Sequence, residues 1–153
     1  MAGGSREIVE RFAEALAAAD LDAQTALFHD DIVDEYPQSG ERVVGKANLR
    51  AIVEHYPGTD RRPIHGEVSK LVGANDEWVV GPSFNVTHIA GSGDEFVLVL
   101  MVTYPSGETW HMVQLVKMRD DRIWRLTTYF GAPFEAPAWR APYVEMTGDS
   151  NGS

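Results

Sequence analysis

The chain has 153 residues, of which 44% are hydrophobic and none is cysteine, and this length suits one compact domain that can enclose a core and a modest cavity. Its formal net charge of -10 disfavours nucleic acid and anionic membranes as partners, because their negative charges repel those of the protein. The lack of cysteine excludes disulfides, thiolate metal sites and cysteine nucleophiles, and it favours a cytoplasmic location.

The N-terminal sequence MAGGSREIVE has no apolar signal-peptide core, and the longest apolar run, FVLVLMV, is too short to span a bilayer. We therefore expect a soluble cytoplasmic protein that binds neither membrane nor nucleic acid. Residues 1–5 are expected to form a flexible start, with Ser5 as the N-cap of the first helix.

Three helices are predicted in the first third of the chain. The first has apolar residues at helical spacing, namely Ile8, Phe12, Ala15, Leu16 and Ala19. A second, LDAQTALF, follows Asp20 as its cap, after which DIVDEY and ERVV have the pattern of strands. The third helix carries Leu49, Ile52, Val53 and Tyr56 on one face and ends at Pro57-Gly58.

The rest of the chain is predicted to be a meander of long antiparallel strands. Its runs are IHGEVSKLVG, EWVVGPSFNVTHI, DEFVLVLMVTY, ETWHMVQLVKM and RIWRLTTYF, separated by short turn sequences. Several strands are apolar on both faces, so one face should cover helices or a cavity and the other a second subunit or the tail. The tail GAPFEAPAWRAPYVEM is predicted to dock its aromatic residues as an extended clasp. We thus expect one domain over residues 1–143 and a disordered tail over residues 144–153.

The order of elements resembles the nuclear transport factor 2-like superfamily, which includes SnoaL-like polyketide cyclases, ketosteroid isomerase and scytalone dehydratase. The resemblance covers residues 6 to about 143 and is strongest in FAEALAAADLDAQTALFHDDIVDEYPQSGERVVGKANLRAIVEHY and VQLVKMRDDRIWRLTTYFGAPFEAPAWRAPYV. It implies an α+β fold, a cystatin-like cone-shaped half-barrel with three N-terminal helices packed on a bent antiparallel sheet. It also implies a pocket between the first helix and the concave face of the sheet.

Comparison with ketosteroid isomerase argues against steroid isomerisation. That enzyme has its general-base aspartate directly before a proline, where this chain has Tyr36 before Pro37. Its oxyanion tyrosine corresponds to Phe12, and its protonated aspartate corresponds to Gln114. Because the ordinary pKa of tyrosine is about 10, Tyr36 is better suited to donate a hydrogen bond or proton than to remove one from carbon.

Scytalone dehydratase offers a second comparison, in which Tyr36, His65 and His111 would occupy the positions of its tyrosine and two histidines. However, the first helix here has ALAAAD where that enzyme has a Tyr-Asp pair. Strand alternation also puts His111 and Gln114 on opposite faces, and we favour Gln114 on the inner face. Gln114 would then need a buried hydrogen-bond partner, for which Tyr36 is the candidate.

SnoaL-like cyclases use a pocket aspartate as general acid and base. Asp34 shares a strand face with Tyr36 and would be the pocket carboxylate, with a pKa raised by burial. The alternative is that Asp34 is a solvated acid at the cavity mouth or an ion-pair partner of Arg42. The five histidines have no H-x-H or H-x-x-x-H spacing, so we expect no metal and no cofactor.

The leading hypothesis is a SnoaL-like protein that binds a small apolar or aromatic molecule, in a pocket lined by Phe12, Leu16, Trp110, Met112, Thr128 and Phe130. If it is an enzyme, we expect a cofactor-free lyase, isomerase or cyclase. In that case Tyr36 is the acid or oxyanion donor, Gln114 orients a carbonyl and Asp34 is the base. The alternative is a non-catalytic ligand-sensing or dimerisation module, and in both cases we expect a homodimer through the outer face of the sheet.

Overall fold

A computed structural model describes residues 2–55, 83–104 and 107–147 of the chain. The helices are α1 (Ala2–Ala17), α2 (Leu21–Ala26) and α3 (Lys46–Glu54), and a 3-10 helix spans Ala138–Tyr143. The strands are β1 (Phe28–Tyr36), β2 (Glu41–Val44), β3 (Ser83–Ser92), β4 (Glu95–Thr103), β5 (Thr109–Arg119) and β6 (Arg122–Gly131). The predicted strand IHGEVSKLVG, which contains His65, and the end of the third helix at Pro57-Gly58 lie outside the described residues.

The three predicted helices are confirmed, with one difference at the start of α1. That helix already begins at Ala2, so Ser5 is a buried helical residue and not the predicted N-cap. Asp20 caps α2 as predicted, because its carboxylate accepts a hydrogen bond of 2.9 Å from the backbone N–H of Ala23. None of the helices in the described part of the chain is long and apolar enough to cross a membrane.

The described strands form one open sheet in the order β2-β1-β6-β5-β4-β3. The predicted antiparallel meander is confirmed from β3 to β6, and β2 is antiparallel to β1. The correction concerns β1, which pairs with β6 in parallel. Register shifts interrupt the ladders of β1, β3 and β5, and such bulges bend strands. The predicted class, an α+β cystatin-like half-barrel, is confirmed.

The hydrophobic core lies between α1 and the inner face of the sheet. Val9, Phe12 and Leu16 are buried on α1, and Leu98 and Leu100 are buried on β4. Their burial follows from helical spacing on α1 and from alternation along the strand. The core therefore covers one face of the sheet, and the other face keeps part of its apolar surface exposed.

The predicted docking of the tail is wrong for residues 132–147. Phe134, Trp139 and Tyr143 are 79%, 74% and 83% exposed, so their side chains do not pack on the domain. The segment contains Pro133, Pro137 and Pro142, which cannot donate a backbone hydrogen bond to a sheet. The tail thus leaves the core as an exposed aromatic segment, and residues 148–153 lie outside the described part.

Candidate functional site

An open-sided cavity of about 560 Å³ lies between the helices and the inner face of the sheet. Its size is in the range of small-molecule sites. Asp34, Tyr36 and Gln114 line this cavity. So do the six residues predicted to contact the ligand, which are Phe12, Leu16, Trp110, Met112, Thr128 and Phe130. Most of the wall is aromatic or aliphatic, and the polar groups of interest come from β1, β5 and β6.

Strand β1 brings Asp34 and Tyr36 to the same wall of the cavity. Residues two apart on a strand share a face, so this placement follows from simple alternation. The strand ends at Tyr36 because Pro37 follows, and the carbonyl of Tyr36 accepts hydrogen bonds from the N–H groups of Ser39 and Gly40 in the turn. The Tyr36 ring packs edge-to-face on Phe130, with ring centroids 5.4 Å apart.

The carboxyl group of Asp34 is buried at the accepting end of a short hydrogen-bonded chain. Asp34 is only 4% exposed, and its Oδ1 accepts a hydrogen bond of 2.8 Å from the hydroxyl of Thr128. Burial raises the pKa of Asp34 from its usual 3.8 to about 7, the hydrogen bond from Thr128 lowers it, and the charge of Glu35 raises it. The carboxyl group therefore changes charge near neutral pH.

The hydroxyl group of Tyr36 stays protonated over the physiological range. Burial raises the pKa of Tyr36 well above its usual value of 10.0, and the nearby charges of Asp34 and Glu41 raise it further. Tyr36 is half-buried and presents its ring to the cavity. It can therefore serve as a hydrogen-bond donor, as the sequence predicts, but not as a base at neutral pH.

Two expected partnerships differ from the observed ones. Gln114 is buried as predicted, but its Nε2 donates to the hydroxyl of Thr128 at 3.2 Å, and no hydrogen bond joins it to Tyr36. Its Oε1 has no hydrogen-bond partner among the described residues. Arg42 pairs with Glu35 at 3.4 Å, and it does not pair with Asp34. The alternative in which Asp34 is a solvated or Arg42-paired acid is therefore wrong.

Of the two histidines of the dehydratase comparison, the structure describes His111. His111 is exposed, and it does not line the cavity, because Met112 and Gln114 face inward on the same strand. His65 lies outside the described residues. Over residues 2–55, 83–104 and 107–147, no group of three or more histidine, aspartate or glutamate side chains could hold a metal ion.

Sequence reasoning missed a charged residue, Arg50 of α3, on the cavity wall. Its guanidinium contacts Asp22 at 2.6 Å and Glu54 at 2.9 Å. The pair with Glu54 has the i,i+4 spacing of a helical ion pair, and this spacing could have been recognised in the sequence. Asp22 is 28 residues away on α2, so no local pattern could reveal that contact. Two carboxylates already balance the charge of Arg50.

A family model described as the SnoaL-like domain matches residues 9–126. No curated protein gives a significant match. Among solved structures, an NTF2-like protein of unknown function from Burkholderia xenovorans LB400 is 31% identical, with a TM-score of 0.69. The match covers 95% of this chain and 97% of that one.

Two more distant structures share the fold. A protein from Kribbella flavida DSM 17836, provisionally described as a ketosteroid isomerase, is 20% identical over 95% of this chain and 91% of that one, with a TM-score of 0.72. An epoxide hydrolase from M. tuberculosis, described as LEH-like, is 18% identical over 84% of each chain, with a TM-score of 0.57. At these identities the likeness concerns architecture alone, so function has to be argued from the site.

Proposed function

Since the chain belongs to the SnoaL-like domain family, we propose that it is a cofactor-independent enzyme that transfers a proton on a small apolar or aromatic carbonyl compound. Membership of the family supports a small-molecule-binding role in general. The proposed reaction class is that of lyases, isomerases and cyclases whose first step removes a proton from carbon. Asp34 is the proposed general base, and Tyr36 is the proposed hydrogen-bond donor.

The observation that carries the proposal is the buried carboxyl group of Asp34 on the cavity wall. With a pKa of about 7, Asp34 is present in both protonation states at neutral pH. A general base works best when its pKa lies near the working pH, because it is then ionised often enough and still basic enough. The same group can return the proton to the substrate in a second step.

The mechanism needs a second group that stabilises negative charge on the substrate oxygen. When Asp34 removes a proton from the carbon beside a carbonyl, the C–H electron pair forms a C=C bond and the carbonyl π electrons move to oxygen. Tyr36 can donate its O–H to that oxygen, because its hydroxyl stays protonated. Return of the proton to a different carbon gives isomerisation. In dehydration the enolate re-forms its C=O bond, a C=C bond forms between the α and β carbons, and the β-hydroxyl group takes the proton held by Asp34 and leaves as water.

The proposal is tested by α-proton exchange in 2-tetralone, a bicyclic aromatic ketone with an acidic C–H group. In D₂O the exchange needs only the removal of the proton and the return of a deuteron, so no net reaction is required. We expect the protein to accelerate loss of the α-proton NMR signal above the buffer rate, with a pH profile that rises through about 7. A rate equal to that of buffer, with 2-tetralone bound in the cavity, would contradict the proposal.

Replacing Tyr36 by phenylalanine should lower the exchange rate about 10²-fold, because it removes the O–H donor and keeps the ring that packs on Phe130. The Kd for 2-tetralone, measured by quenching of tryptophan fluorescence because Trp110 lines the cavity, should change by less than about threefold. An unchanged rate in Tyr36→Phe would exclude this residue as the oxyanion donor.

A second candidate function, a non-catalytic ligand-sensing or dimerisation module, is favoured by apolar surface outside the cavity. Val99, Leu115 and Tyr129 are 36%, 40% and 41% exposed on the outer face of the sheet. Val113 joins them, because it lies opposite both Val99 and Tyr129 in the ladder. Together with the exposed tail aromatics, this patch supports a homodimer, with or without catalysis.

Replacing Leu115 by glutamate should convert that homodimer into a monomer, because the new carboxylates would be desolvated near the centre of the outer face. Light scattering coupled to size-exclusion chromatography should give wild type close to twice the chain mass of 16.9 kDa, and the variant close to that mass. Val44→Glu is the matched control, since Val44 is exposed on β2 at the edge of the sheet. A monomeric wild-type protein would refute the proposed dimer.

A further inference from the structure

Asp34, Thr128 and Gln114 form a single file of polar side chains across three neighbouring strands. Asp34 lies on β1, Thr128 on β6 and Gln114 on β5, and Gln114 and Thr128 face each other in the ladder. All three side chains are buried, with Thr128 only 1% exposed. Since a buried polar side chain without partners destabilises the fold, a threonine at this depth calls for a specific reason.

The hydrogen bonds of the file have one direction. Gln114 Nε2 donates to Thr128 Oγ1 at 3.2 Å, and Thr128 Oγ1 donates to Asp34 Oδ1 at 2.8 Å. An amide N–H can only donate, so it occupies the oxygen of the threonine hydroxyl as an acceptor. The single hydroxyl hydrogen of Thr128 is then left for Asp34, and this favours the ionised carboxylate.

We propose that Thr128 and Gln114 are positioning residues that fix the orientation and the proton affinity of Asp34. This inference rests on the proposed role of Asp34 as the base, and it replaces the sequence-based expectation that Gln114 orients a substrate carbonyl and Thr128 contacts the substrate. One of the two N–H groups of Gln114 is used within the protein, in the bond to Thr128. Through that bond the amide acts on the Thr128 hydroxyl and, through the hydroxyl, on the carboxyl group of Asp34.

Other titratable groups around Asp34 bear on its protonation and stay unchanged in the test. In the described part of the chain, the groups that line the same cavity are Tyr36 of β1, Glu41 of β2, Arg50 of α3 and Tyr104 after β4, and Glu35 of β1 acts on the carboxyl through its charge from the opposite face of the strand. Arg50 is balanced by two carboxylates, and Glu35 pairs with Arg42. None of them is removed when Thr128 is replaced.

The test is a ¹³C NMR titration of the Asp34 carboxyl carbon, assigned by its disappearance in Asp34→Asn. Thr128→Val removes the hydroxyl and keeps the shape, so the titration midpoint should rise by about one pH unit above that of wild type. Thr128→Ser keeps the hydroxyl and should titrate within a few tenths of a unit of wild type. If Thr128→Val does not fold, Gln114→Met serves instead. Without the amide donor, the hydroxyl hydrogen of Thr128 is no longer committed to Asp34, so we expect a smaller rise in the titration midpoint.

Each outcome of the titration bears on the inference separately from the proposed reaction. A midpoint in Thr128→Val or Gln114→Met equal to that of wild type would overturn the positioning role. A raised midpoint together with absent 2-tetralone exchange would keep the positioning role and refute the proposed function. If the positioning role and the proposed function are both correct, the pH profile of exchange in the variant should move to higher pH by the same amount as its NMR midpoint. Loss of stability alone would not produce this result.

Discussion

Replacing Asp34 by asparagine is expected to lower the rate of α-proton exchange in 2-tetralone by about 10³-fold. The amide is nearly the same size as the carboxyl, and its oxygen can still accept the hydrogen bond from Thr128, so the cavity should keep its shape. The amide nitrogen and oxygen are too weakly basic at neutral pH to accept a proton from carbon. The loss should therefore appear in the rate and only weakly in the Kd for 2-tetralone.

A matched control separates this effect from the general loss of a negative charge. Glu35 is the next residue on β1, does not line the cavity and pairs with Arg42. Glu35→Gln should keep the exchange rate within about threefold of wild type, since its pair is exposed and weak. Exchange by Asp34→Asn at the wild-type rate would show that another group removes the proton.

The sequence predicted the location of the candidate site because strand alternation needs only the local pattern. On a strand, residues i and i+2 share a face, so Asp34 was placed beside Tyr36. Residues i and i+3 lie on opposite faces, so Gln114 was separated from His111. The same reasoning from helical spacing placed Phe12 and Leu16 on the cavity wall. These predictions hold because the apolar pattern and the backbone geometry agree.

The contacts within the site could not be predicted, since they depend on strands that are distant in the sequence. Asp34 and Thr128 are 94 residues apart and meet only because β1 lies parallel to β6. The sequence indicated an antiparallel sheet throughout, so the partner of Asp34 was missed and Tyr36 was expected to pair with Gln114. Arg42 was also misassigned, because it is opposite Glu35 in the β1–β2 ladder.

The ends of the chain show a different limit of sequence reasoning. Ser5 is a strong N-cap residue by type, yet α1 continues through it to Ala2. In the tail, Phe134, Trp139 and Tyr143 are apolar enough to predict burial, but within the single chain they are exposed. An apolar composition indicates that burial of a segment is favourable, but it does not specify the surface against which the segment packs.

Asp34 should also make the stability of the protein depend on pH, because the buried carboxyl binds its proton more tightly in the folded state. Its pKa is about 7 when folded and near its usual 3.8 when unfolded. Below 3.8 both states are protonated and the carboxyl has no net effect. As the pH rises from about 4 to 7, the unfolded state releases the proton first, so the free energy of unfolding falls. Above about 7 the destabilisation is complete.

Asp34→Asn should therefore gain stability over wild type as the pH rises, by about 4 kcal/mol between pH 4 and pH 8. Thermal unfolding should show this as a difference in Tm that widens by roughly 8–16 °C over the same range. Any cost of the amide itself is the same at both pH values and cancels in the comparison. Glu14→Gln removes an exposed carboxylate from α1 and should give a difference that hardly varies with pH. A constant difference for Asp34→Asn would mean that the carboxyl titrates near its usual pKa when folded, which would remove the basis for its role as a neutral-pH base.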